Sequence, residues 1–303
     1  MPPVYVVARY PALLRVRAKK LCDLGVRWRL LVVELSVRGD SMPELPEVEI
    51  MARNLHRWMV GRCLVRMEVL DDKFDVSSLQ EVEGDEVTRV YRRAKYAVIE
   101  FAGGHCQVLH YRMTGKTIQD PDAMRRARLR WVFRDAPAVA FEDPRRFGTC
   151  ERVREADLAA YFQDKNLGPE PWPVARDAEW WKGQMSGLRG PIKPALMRQD
   201  RVAGLGNIAA SEILFRARIH PVRTVPSLVE DEWAQIARAV PEFIAHTLHE
   251  ESGDEIQYVN MGGEGSFSVY GHDGETCLCC SQRIVRLVQS GRGTFFCPGC
   301  QSL

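Results

Sequence analysis

Two cysteine pairs near the C-terminus carry the clearest chemical signal in the sequence. Cys277 and Cys280 form one C-x2-C pair, and Cys297 and Cys300 form a second. Each pair offers two thiolates from a single turn, and four thiolates in tetrahedral geometry are the ligand set that structural zinc prefers. The intervening RIVRLVQSGRGTFF predicts two strands joined at SGRG. The sequence therefore predicts one structural Zn²⁺ in a zinc-ribbon β-hairpin.

A glycine-rich turn separates two helical patterns in the middle of the chain. VAGLGN places Gly204 and Gly206 directly before the helical run IAASEILF. Glycines permit close approach of the backbone to another group, and a helix N-terminus offers free N–H groups to a phosphate, with Asn207 adding a side-chain donor. A tight turn between helices explains the same pattern without a ligand, so both interpretations remain open here.

Arginines and one aromatic residue mark two further stretches. DPRRFG, from Asp143 to Gly148, is a loop with an apolar ring beside cations, which is suited to wedging into a base stack. RRARLRWVFR, from Arg125 to Arg134, alternates cations with apolar residues. One charged strand face suits a phosphate backbone, although solvation alone explains it equally well.

The elements that must position these residues follow from apolar periodicity. Val48, Met51, Ala52, Leu55 and Met59 recur at helical steps, and the following glycine is a natural stop. Short alternating runs then predict two packed antiparallel sheets, ending near residue 155. The runs are LVRMEVL, EVTRVYRR, YAVIEF, HCQVLHY, RLRWVF and AVAF. LGPEPWPVA is typical of a linker, and helices are predicted around IKPALMRQD, IAASEILFRARI and EDEWAQIARAVPEFIAHTLHE.

Composition and charge limit the class of protein. The chain has 303 residues, an ordinary apolar content and a net charge of +2, so net charge gives no argument for nucleic acid. No apolar run is long enough to span a membrane. Nine cysteines, five of them near the C-terminus, indicate a metal site in a reducing compartment and not a disulfide framework. We therefore predict a cytoplasmic protein without a membrane partner.

Residues 1–41 differ from the rest of the chain. They hold eight Lys/Arg and three Asp/Glu and lack an apolar core with a small-residue cleavage site, so a secretory signal is not indicated. SMPELPEVE, which begins at Ser41, reads like the start of a protein. We predict that residues 1–41 are a leader that is either cleaved or the product of a start codon assigned upstream of Met42.

Seven stretches together resemble one known family. PELPEVE, RRAKY, HYRMTG, DPRRFG, LGPEP, VAGLGNIAASEILFRARIHP and the four-cysteine finger occur in the order found in the formamidopyrimidine-DNA glycosylases (the Fpg/MutM group of the Fpg/Nei superfamily). The resemblance spans about residues 42–303. It implies an α+β multidomain fold with an N-terminal antiparallel β-sandwich and flanking helices at 42–160. It further implies a linker at 161–175, a helix-two-turn-helix DNA-binding domain at 176–265 and a zinc-ribbon β-hairpin at 266–303.

The resemblance also implies roles for individual residues. Pro43 matches the N-terminal proline whose free amine attacks C1′ of the damaged nucleotide, which requires that nothing precede it. Glu44 matches a general acid near the sugar ring oxygen, Lys95 the family's strand lysine, and Arg292 a hairpin residue that holds phosphate and assists elimination. The implied DNA contacts are Arg126, Met113, Arg145, Phe147, Arg189 and Asn207. Of these, Met113, Arg145 and Phe147 match the residues that fill the gap left by an extruded base.

Three departures from the family pattern bear on the substrate. Arg126 stands where the family has a histidine, Ala209 where a tyrosine is common, and the loop from Ser252 to Gly271 is shorter than the family's loop over an extruded purine. The leading hypothesis is a monomeric, bacterial, bifunctional glycosylase and AP lyase that removes oxidised purines from damaged double-stranded DNA. The alternatives are a Nei-type enzyme for oxidised pyrimidines, a non-catalytic zinc protein that binds damaged DNA and, more remotely, an RNA-binding zinc ribbon.

Overall fold

The computed structural model describes residues 42–119, 127–250 and 267–303. Its helices are α1 (Leu45–Met59), α2 (Val76–Gln80), α3 (Leu158–Asp164), α4 (Ala178–Gln184), α5 (Ile192–Leu196), α6 (Asn207–Arg216) and α7 (Glu230–Glu250). Its strands are β1 (Leu64–Val69), β2 (Val87–Arg93), β3 (Tyr96–Phe101), β4 (His105–His110), β5 (Lys116–Ile118), β6 (Ala127–Phe133), β7 (Val139–Glu142), β8 (Thr149–Arg154), β9 (Val285–Gln289) and β10 (Arg292–Phe296). None of the helices in these three ranges combines the length and the apolar character that crossing a membrane needs.

Helix α1 is the first element and forms as its apolar stripe predicts. All five residues of that stripe are buried against the sheets. Glu47 in the first turn accepts the N–H of Glu44 at 2.9 Å, which satisfies a donor that has no partner within the helix. The helix ends at Met59, and Gly61, with φ +77°, turns the chain towards β1.

Two antiparallel four-stranded sheets face each other in the N-terminal part. One has the strand order β1-β6-β7-β5 and the other β2-β3-β4-β8. Apolar residues of both sheets and of α1 share one core, and the indole N–H of Trp131 donates to Gln107 across it at 2.7 Å. The predicted sandwich is therefore confirmed, with β5 and β8 as strands that the sequence analysis did not identify.

The helical part has its own core, and α1 contributes to it. Helices α4 to α7 bury Trp181, Leu214, Trp233 and Phe243 together, and Leu45 from the first turn of α1 lies in the same cluster. The helix–glycine turn–helix arrangement is formed by α5, the loop with Gly204 and Gly206, and α6. The start of α1 is thus shared between the sandwich and the helices.

The C-terminal strands form a small hairpin that packs on α6. β9 and β10 pair antiparallel and are joined by Ser290 and Gly291, with φ of +49° and +74°, as a two-residue turn between twisted strands requires. Phe215 of α6 packs into the hairpin's apolar cluster with Ile284 and Phe295. The α+β fold with a sandwich, a helical unit and a terminal hairpin agrees with the sequence prediction.

Candidate active site and metal centre

The carboxylate of Glu44 links the sandwich to the helical part. Glu44 lies directly before α1, is 4% exposed, and accepts the backbone N–H groups of Ile208 at 2.9 Å and Ala209 at 3.0 Å. These N–H groups belong to the first turn of α6, where the helix leaves its donors unpaired and a negative charge is favoured. The acid that follows Pro43 in sequence therefore occupies the N-terminus of a helix some 160 residues away in the chain.

Two glycines allow this approach. A Cβ built on Gly206 would lie 2.3 Å from the Glu44 carboxylate carbon and 2.7 Å from Nζ of Lys95. A Cβ on Gly204 would lie 2.8 Å from Leu45, whose N–H donates to the Gly204 carbonyl at 3.0 Å. The glycine turn is thus explained by close contact with the start of α1, and the same contact places the first turn of α6 beside Glu44.

Lys95 shares the buried space with Glu44. It lies in the two-residue turn between β2 and β3, after Ala94 with φ +53°, and not on a strand as the resemblance suggested. The side chain is 7% exposed. Burial lowers the pKa of Lys95 from its ordinary value; Glu44 and Glu47 oppose this shift, and Arg292 adds to it. A lowered pKa makes the ammonium readier to give up a proton.

Glu170 of the predicted linker holds the turn that carries Lys95. Its carboxylate accepts from Arg92, Arg93 and the Ala94 N–H, each at 2.7 Å. Arg93 also donates to the Gly168 carbonyl at 2.7 Å. The left-handed backbone at Ala94 is therefore fixed by a residue of the predicted linker, which follows the β-sandwich in the chain.

A buried lysine joins the glycine turn to the hairpin. Lys193 of α5 is 1% exposed and donates to Oδ1 of Asn207 at 2.6 Å, the Gly293 carbonyl at 3.0 Å and Thr294 Oγ1 at 2.9 Å. Asn207 in turn donates to the Gly293 carbonyl at 3.0 Å. Burial lowers the pKa of Lys193 to about 8. These bonds hold Gly293, the residue that follows the exposed Arg292, against Asn207.

Glu212 fixes the chain where it enters the hairpin region. This fully buried carboxylate on α6 accepts the N–H groups of Ser268, Val269 and Tyr270, each at 2.9 Å. The Tyr270 hydroxyl lies 3.4 Å from Nδ2 of Asn207. Helix α6 therefore organises the site at its first turn through its N–H groups and one turn later through an acid.

The three residues expected to fill a gap in DNA lie on two connected loops. Met113 is half-buried between β4 and β5, whereas Arg145 and Phe147 are exposed between β7 and β8. The Thr114 hydroxyl donates to Asp143 at 2.5 Å and accepts the Arg145 N–H at 3.3 Å, which ties the loops together. The guanidinium of Arg145 lies 4.8 Å from the centre of the Phe147 ring.

The four predicted zinc ligands form a site that fits the ion. Their sulfurs all lie within 4.8 Å of one another, with 3.8 Å between Cys277 and Cys300 and 3.3 Å between Cys280 and Cys297. A tetrahedral ion with Zn–S bonds of about 2.3 Å needs sulfurs about 3.8 Å apart. Cys279 is exposed and lies outside this set; its N–H donates to the Cys277 sulfur at 3.4 Å. The predicted single structural zinc is confirmed as the metal that this site suits.

Three predicted residues, Pro43, Arg189 and Arg126, complete the set. Pro43 is buried next to Glu44, and its nitrogen is part of the peptide bond to Met42. Arg189 is exposed in the loop between α4 and α5. Arg126 lies outside the described residues, as does most of the loop from 252 to 271.

Two arginines of the predicted basic strand face are paired within the protein. Arg128 donates to the Asp143 carbonyl at 2.9 Å and lies 3.5 Å from Asp71, and Arg130 pairs with Glu68 at 2.7 Å. Much of the positive charge on the described part of this β6 face is therefore paired with neighbouring acids. This pairing within the protein is a third explanation for these two cations, beside phosphate binding and solvation.

The sequence analysis missed several residues that hold the site together. They are Lys193, Glu212 and Glu170. The signal for Lys193 and Glu212 was a charged residue within a helix whose other positions are apolar, and such residues are seldom fully buried unless paired. Glu170 offered no such signal, because an acid in a proline-rich linker looks like ordinary solvated loop.

These features define a class of protein: a sandwich and a glycine-turn helical unit that meet over a buried Glu–Lys pair, followed by a four-cysteine zinc hairpin. Three family models match the chain in this order. They are the formamidopyrimidine-DNA glycosylase N-terminal domain at residues 42–150, the formamidopyrimidine-DNA glycosylase H2TH domain at 167–257, and a zinc finger found in FPG and IleRS at 274–303.

Individual relatives agree with the family models. A formamidopyrimidine-DNA glycosylase of Streptococcus pneumoniae is 34% identical over 273 residues, which covers 86% of this chain and 99% of the relative. One of Thermus thermophilus is 36% identical, covering 86% and 98%. A solved complex of Lactococcus lactis Fpg with DNA containing an abasic site has a TM-score of 0.77 at 30% identity, covering 86% of this chain and all of that one. The chain belongs to the formamidopyrimidine-DNA glycosylase family.

Proposed function

We propose that this protein is a base-excision repair enzyme, a bifunctional DNA glycosylase and AP lyase that removes oxidised purines from double-stranded DNA. Solved relatives support this substrate class, since Lactococcus lactis Fpg has been crystallised with DNA containing Fapy-dG or an abasic site. The observation that carries the proposal is the meeting of Glu44, Lys95 and the first turn of α6 beside Pro43.

The amine of Pro43 is the proposed nucleophile. A secondary amine attacks C1′, the base leaves with the glycosidic electron pair and takes up a proton, and loss of the ring-oxygen bond gives a cationic iminium. That iminium is an electron sink that permits β- and δ-elimination of the flanking phosphates. An α-amine titrates at about pH 8, so about a tenth of it is unprotonated, and therefore nucleophilic, at pH 7.

Glu44 and Lys95 are the proposed proton-handling residues. Glu44, held by two helix N–H groups, acts as the acid near the sugar ring oxygen. Lys95 has a pKa that burial lowers, so it can exchange a proton with the substrate and hold phosphate as an ammonium. Arg292 is exposed at the rim, where it is proposed to bind the phosphate that leaves in the second elimination.

The mechanism requires a free amine at Pro43. A proline inside a chain is a tertiary amide without a nucleophilic lone pair, so the active form is proposed to begin at Pro43, after loss of residues 1–41 and Met42. In that form, the proposed catalytic domain, predicted at 42–160, begins at residue 43, and 176–265 remains the proposed DNA-binding domain.

Phosphate and base contacts are proposed from the rest of the set. The first-turn N–H groups of α6 are already bound to Glu44, so Asn207 is proposed to contact phosphate through its side-chain amide. Arg189 and Arg126 are proposed to follow the DNA backbone. Met113, Arg145 and Phe147 are proposed to fill the gap left by the extruded nucleotide. We further propose a monomer that acts in the bacterial cytosol, because the relatives described above are bacterial.

Covalent trapping tests the proposal. The chain beginning at Met1 and the chain beginning at Met42 are incubated with a duplex containing 8-oxoguanine in the presence of borohydride, which reduces an iminium to a stable adduct. Adduct formation by the Met42 form alone would support Pro43 as the nucleophile and removal of what precedes it. If neither form is trapped although both bind the duplex, the protein is a damaged-DNA-binding zinc protein and not this enzyme.

A matched substrate separates the lesion classes. The same trapping on duplexes with an oxidised pyrimidine, such as 5-hydroxycytosine, should proceed more slowly than on 8-oxoguanine. A faster reaction on the pyrimidine would leave the lyase chemistry in place and replace the purine assignment with a Nei-type one.

A further inference from the structure

The loop that presents Arg145 and Phe147 has an unusual backbone at its apex. Both side chains are exposed, and Arg146 between them has φ +59°, a conformation that L-residues with large side chains seldom adopt. This backbone places residues 145 and 147 side by side, with the guanidinium over the ring. Such a conformation persists only where neighbouring groups fix it.

A second loop fixes that apex. Residues 71–73, which follow β1, form a clamp that we name the DDK clamp: Asp71, Asp72 and Lys73. The Arg146 guanidinium pairs with Asp71 at 2.6 Å and with Asp72. The Lys73 ammonium donates to the carbonyl of Arg146 at 2.8 Å and to that of Gly148. The clamp therefore holds both the side chain and the backbone of the residue between the two exposed tips.

The clamp is itself well supported. The Asp71 side chain is only 2% exposed and also accepts the Lys73 N–H at 3.0 Å. Burial acts to raise the pKa of Asp71, but the bond from Arg146 and the Lys73 N–H outweigh it, so the pKa lies below its ordinary value and the carboxylate is charged. The Lys73 ammonium lies 5.5 Å from the centre of the Phe74 ring. The groups that hold Arg146 are thus ordered without DNA.

The base of the loop has a separate fastening. Asp143 is 1% exposed and accepts the Gly148 N–H at 2.6 Å and the Thr114 hydroxyl at 2.5 Å. These bonds close the loop where it leaves β7 and enters β8, but they do not reach the side chain of Arg146. Removing the clamp should therefore loosen the apex while leaving the loop anchored.

We propose that Asp71 and Lys73 are positioning residues that hold Arg145 and Phe147 in their inserting arrangement before DNA is bound. A preformed tip fills the gap left by an extruded nucleotide without first having to be ordered. The inference rests on the proposed function, since it assigns a purpose to the clamp only if a nucleotide leaves the duplex. It adds two residues far from the sugar chemistry to the set on which base release depends.

Lys73→Met tests the inference, because it keeps the length of the side chain and removes both donors. Base release from an 8-oxoguanine duplex is measured under single turnover, together with the fluorescence of a 2-aminopurine next to the lesion, which rises when stacking is lost. We expect the rate of base release and the rate of the fluorescence rise to fall in parallel by about tenfold, which is the scale of one lost charged hydrogen bond. Lys182→Met, at an exposed lysine that pairs with Glu230, is the matched control and should leave both rates unchanged.

Two further measurements separate positioning from general damage. Borohydride trapping at a preformed abasic site needs no base to be expelled, so Lys73→Met should retain it; absence of trapping even in the wild type would instead overturn the proposed function. In a Phe147→Ala background, Lys73→Met should add little, because residues acting through one tip are not additive. Full additivity, or an equal fall in trapping and base release, would overturn the clamp as a positioning device.

Arg146→Gln guards against a Lys73 variant that fails to fold. Arg146 is half exposed, so its replacement removes the ion pairs with little change to packing. It should reproduce the parallel loss of base release and fluorescence with abasic-site trapping retained. Unchanged base release in Arg146→Gln would refute the clamp regardless of how Lys73→Met behaves.

Discussion

Gly206→Ala should disable the site by a single methyl group. Gly206 has φ −135° and ψ −153°, an extended backbone that alanine adopts without strain, so any effect comes from space alone. The new Cβ would lie 2.3 Å from the Glu44 carboxylate and 2.7 Å from Nζ of Lys95, whereas ordinary contacts begin at 3.4 Å. The carboxylate must therefore move by about an ångström away from the new methyl group, and we expect this movement to break its hydrogen bonds to the N–H groups of Ile208 and Ala209.

The magnitude follows from the bonds that are lost. Leaving two buried backbone donors without their charged acceptor costs about 1–3 kcal/mol each, so we expect the free energy of unfolding to fall by about 3 kcal/mol. A misplacement of about 1 Å in a reacting group typically costs about 100-fold in rate. Both Glu44 and Lys95 are displaced, so we expect at least that loss in base release.

Single-turnover base release and thermal unfolding measure the two effects separately. Gly183→Ala is the control, because Gly183 lies within α4 with nothing within 4 Å of its Cβ position. That substitution should stabilise the helix by up to about 1 kcal/mol and leave the rate unchanged. A Gly206→Ala protein that releases base as fast as the wild type would refute the claim that Glu44 must stay against the α6 N-terminus.

Three further predictions concern the surroundings of the site. Lys193→Met should weaken duplex binding and lower the free energy of unfolding by about 3 kcal/mol, because Asn207 Oδ1, the Gly293 carbonyl and the buried Thr294 hydroxyl each lose the bond from Lys193. Lys182→Met should change neither quantity; filter binding and thermal unfolding decide this. Cys297→Ser should lose zinc and duplex affinity together, and treatment of the wild type with a chelator should have the same effect, whereas Cys279→Ser should retain both. Metal content and duplex affinity are measured side by side, and a zinc-free protein that binds the duplex as tightly as the wild type would contradict the coupling. Burial lowers the pKa of His110 to about 3. Below about pH 6.5 the unfolded chain therefore binds a proton that the folded chain does not, and the free energy of unfolding decreases as the pH is lowered, by up to about 1.4 kcal/mol per pH unit. His110→Phe should flatten this slope between about pH 6 and 4 in unfolding measured across pH; an unchanged slope would show that His110 is protonated in the fold.

The sequence predicted the elements whose signal is local. One short segment of sequence is enough to predict each of three features, and all three are formed as expected. They are the apolar stripe on α1, the long helix α7 and the C-x2-C pairs. The short strands β5 and β8 were missed because three residues, or six with mostly polar side chains, give no clear alternation. Their strand character comes from pairing with distant neighbours.

The site was predicted in part for the same reason. Gly204 and Gly206 could be recognised as unusual, but their purpose, contact with Leu45 and Glu44, depends on a packing that no local pattern contains. Lys95 was expected on a strand only because the resemblance implied it, whereas the tight pairing of β2 with β3 leaves it in the turn. The roles of these residues in catalysis stay predictions until the variants above are measured.

The grip of Glu170 on the Lys95 turn bears on how this protein can be recombined. A segment that joins two domains is usually the place where chains can be cut, lengthened or exchanged between relatives. Here the joining segment supplies the carboxylate that holds Arg93 and the left-handed Ala94. A chimera that takes its sandwich from one relative and its linker from another would inherit mismatched halves of this contact. Productive crossovers should therefore lie C-terminal to Glu170, so that the turn between β2 and β3 and the Glu170 carboxylate are inherited from the same relative.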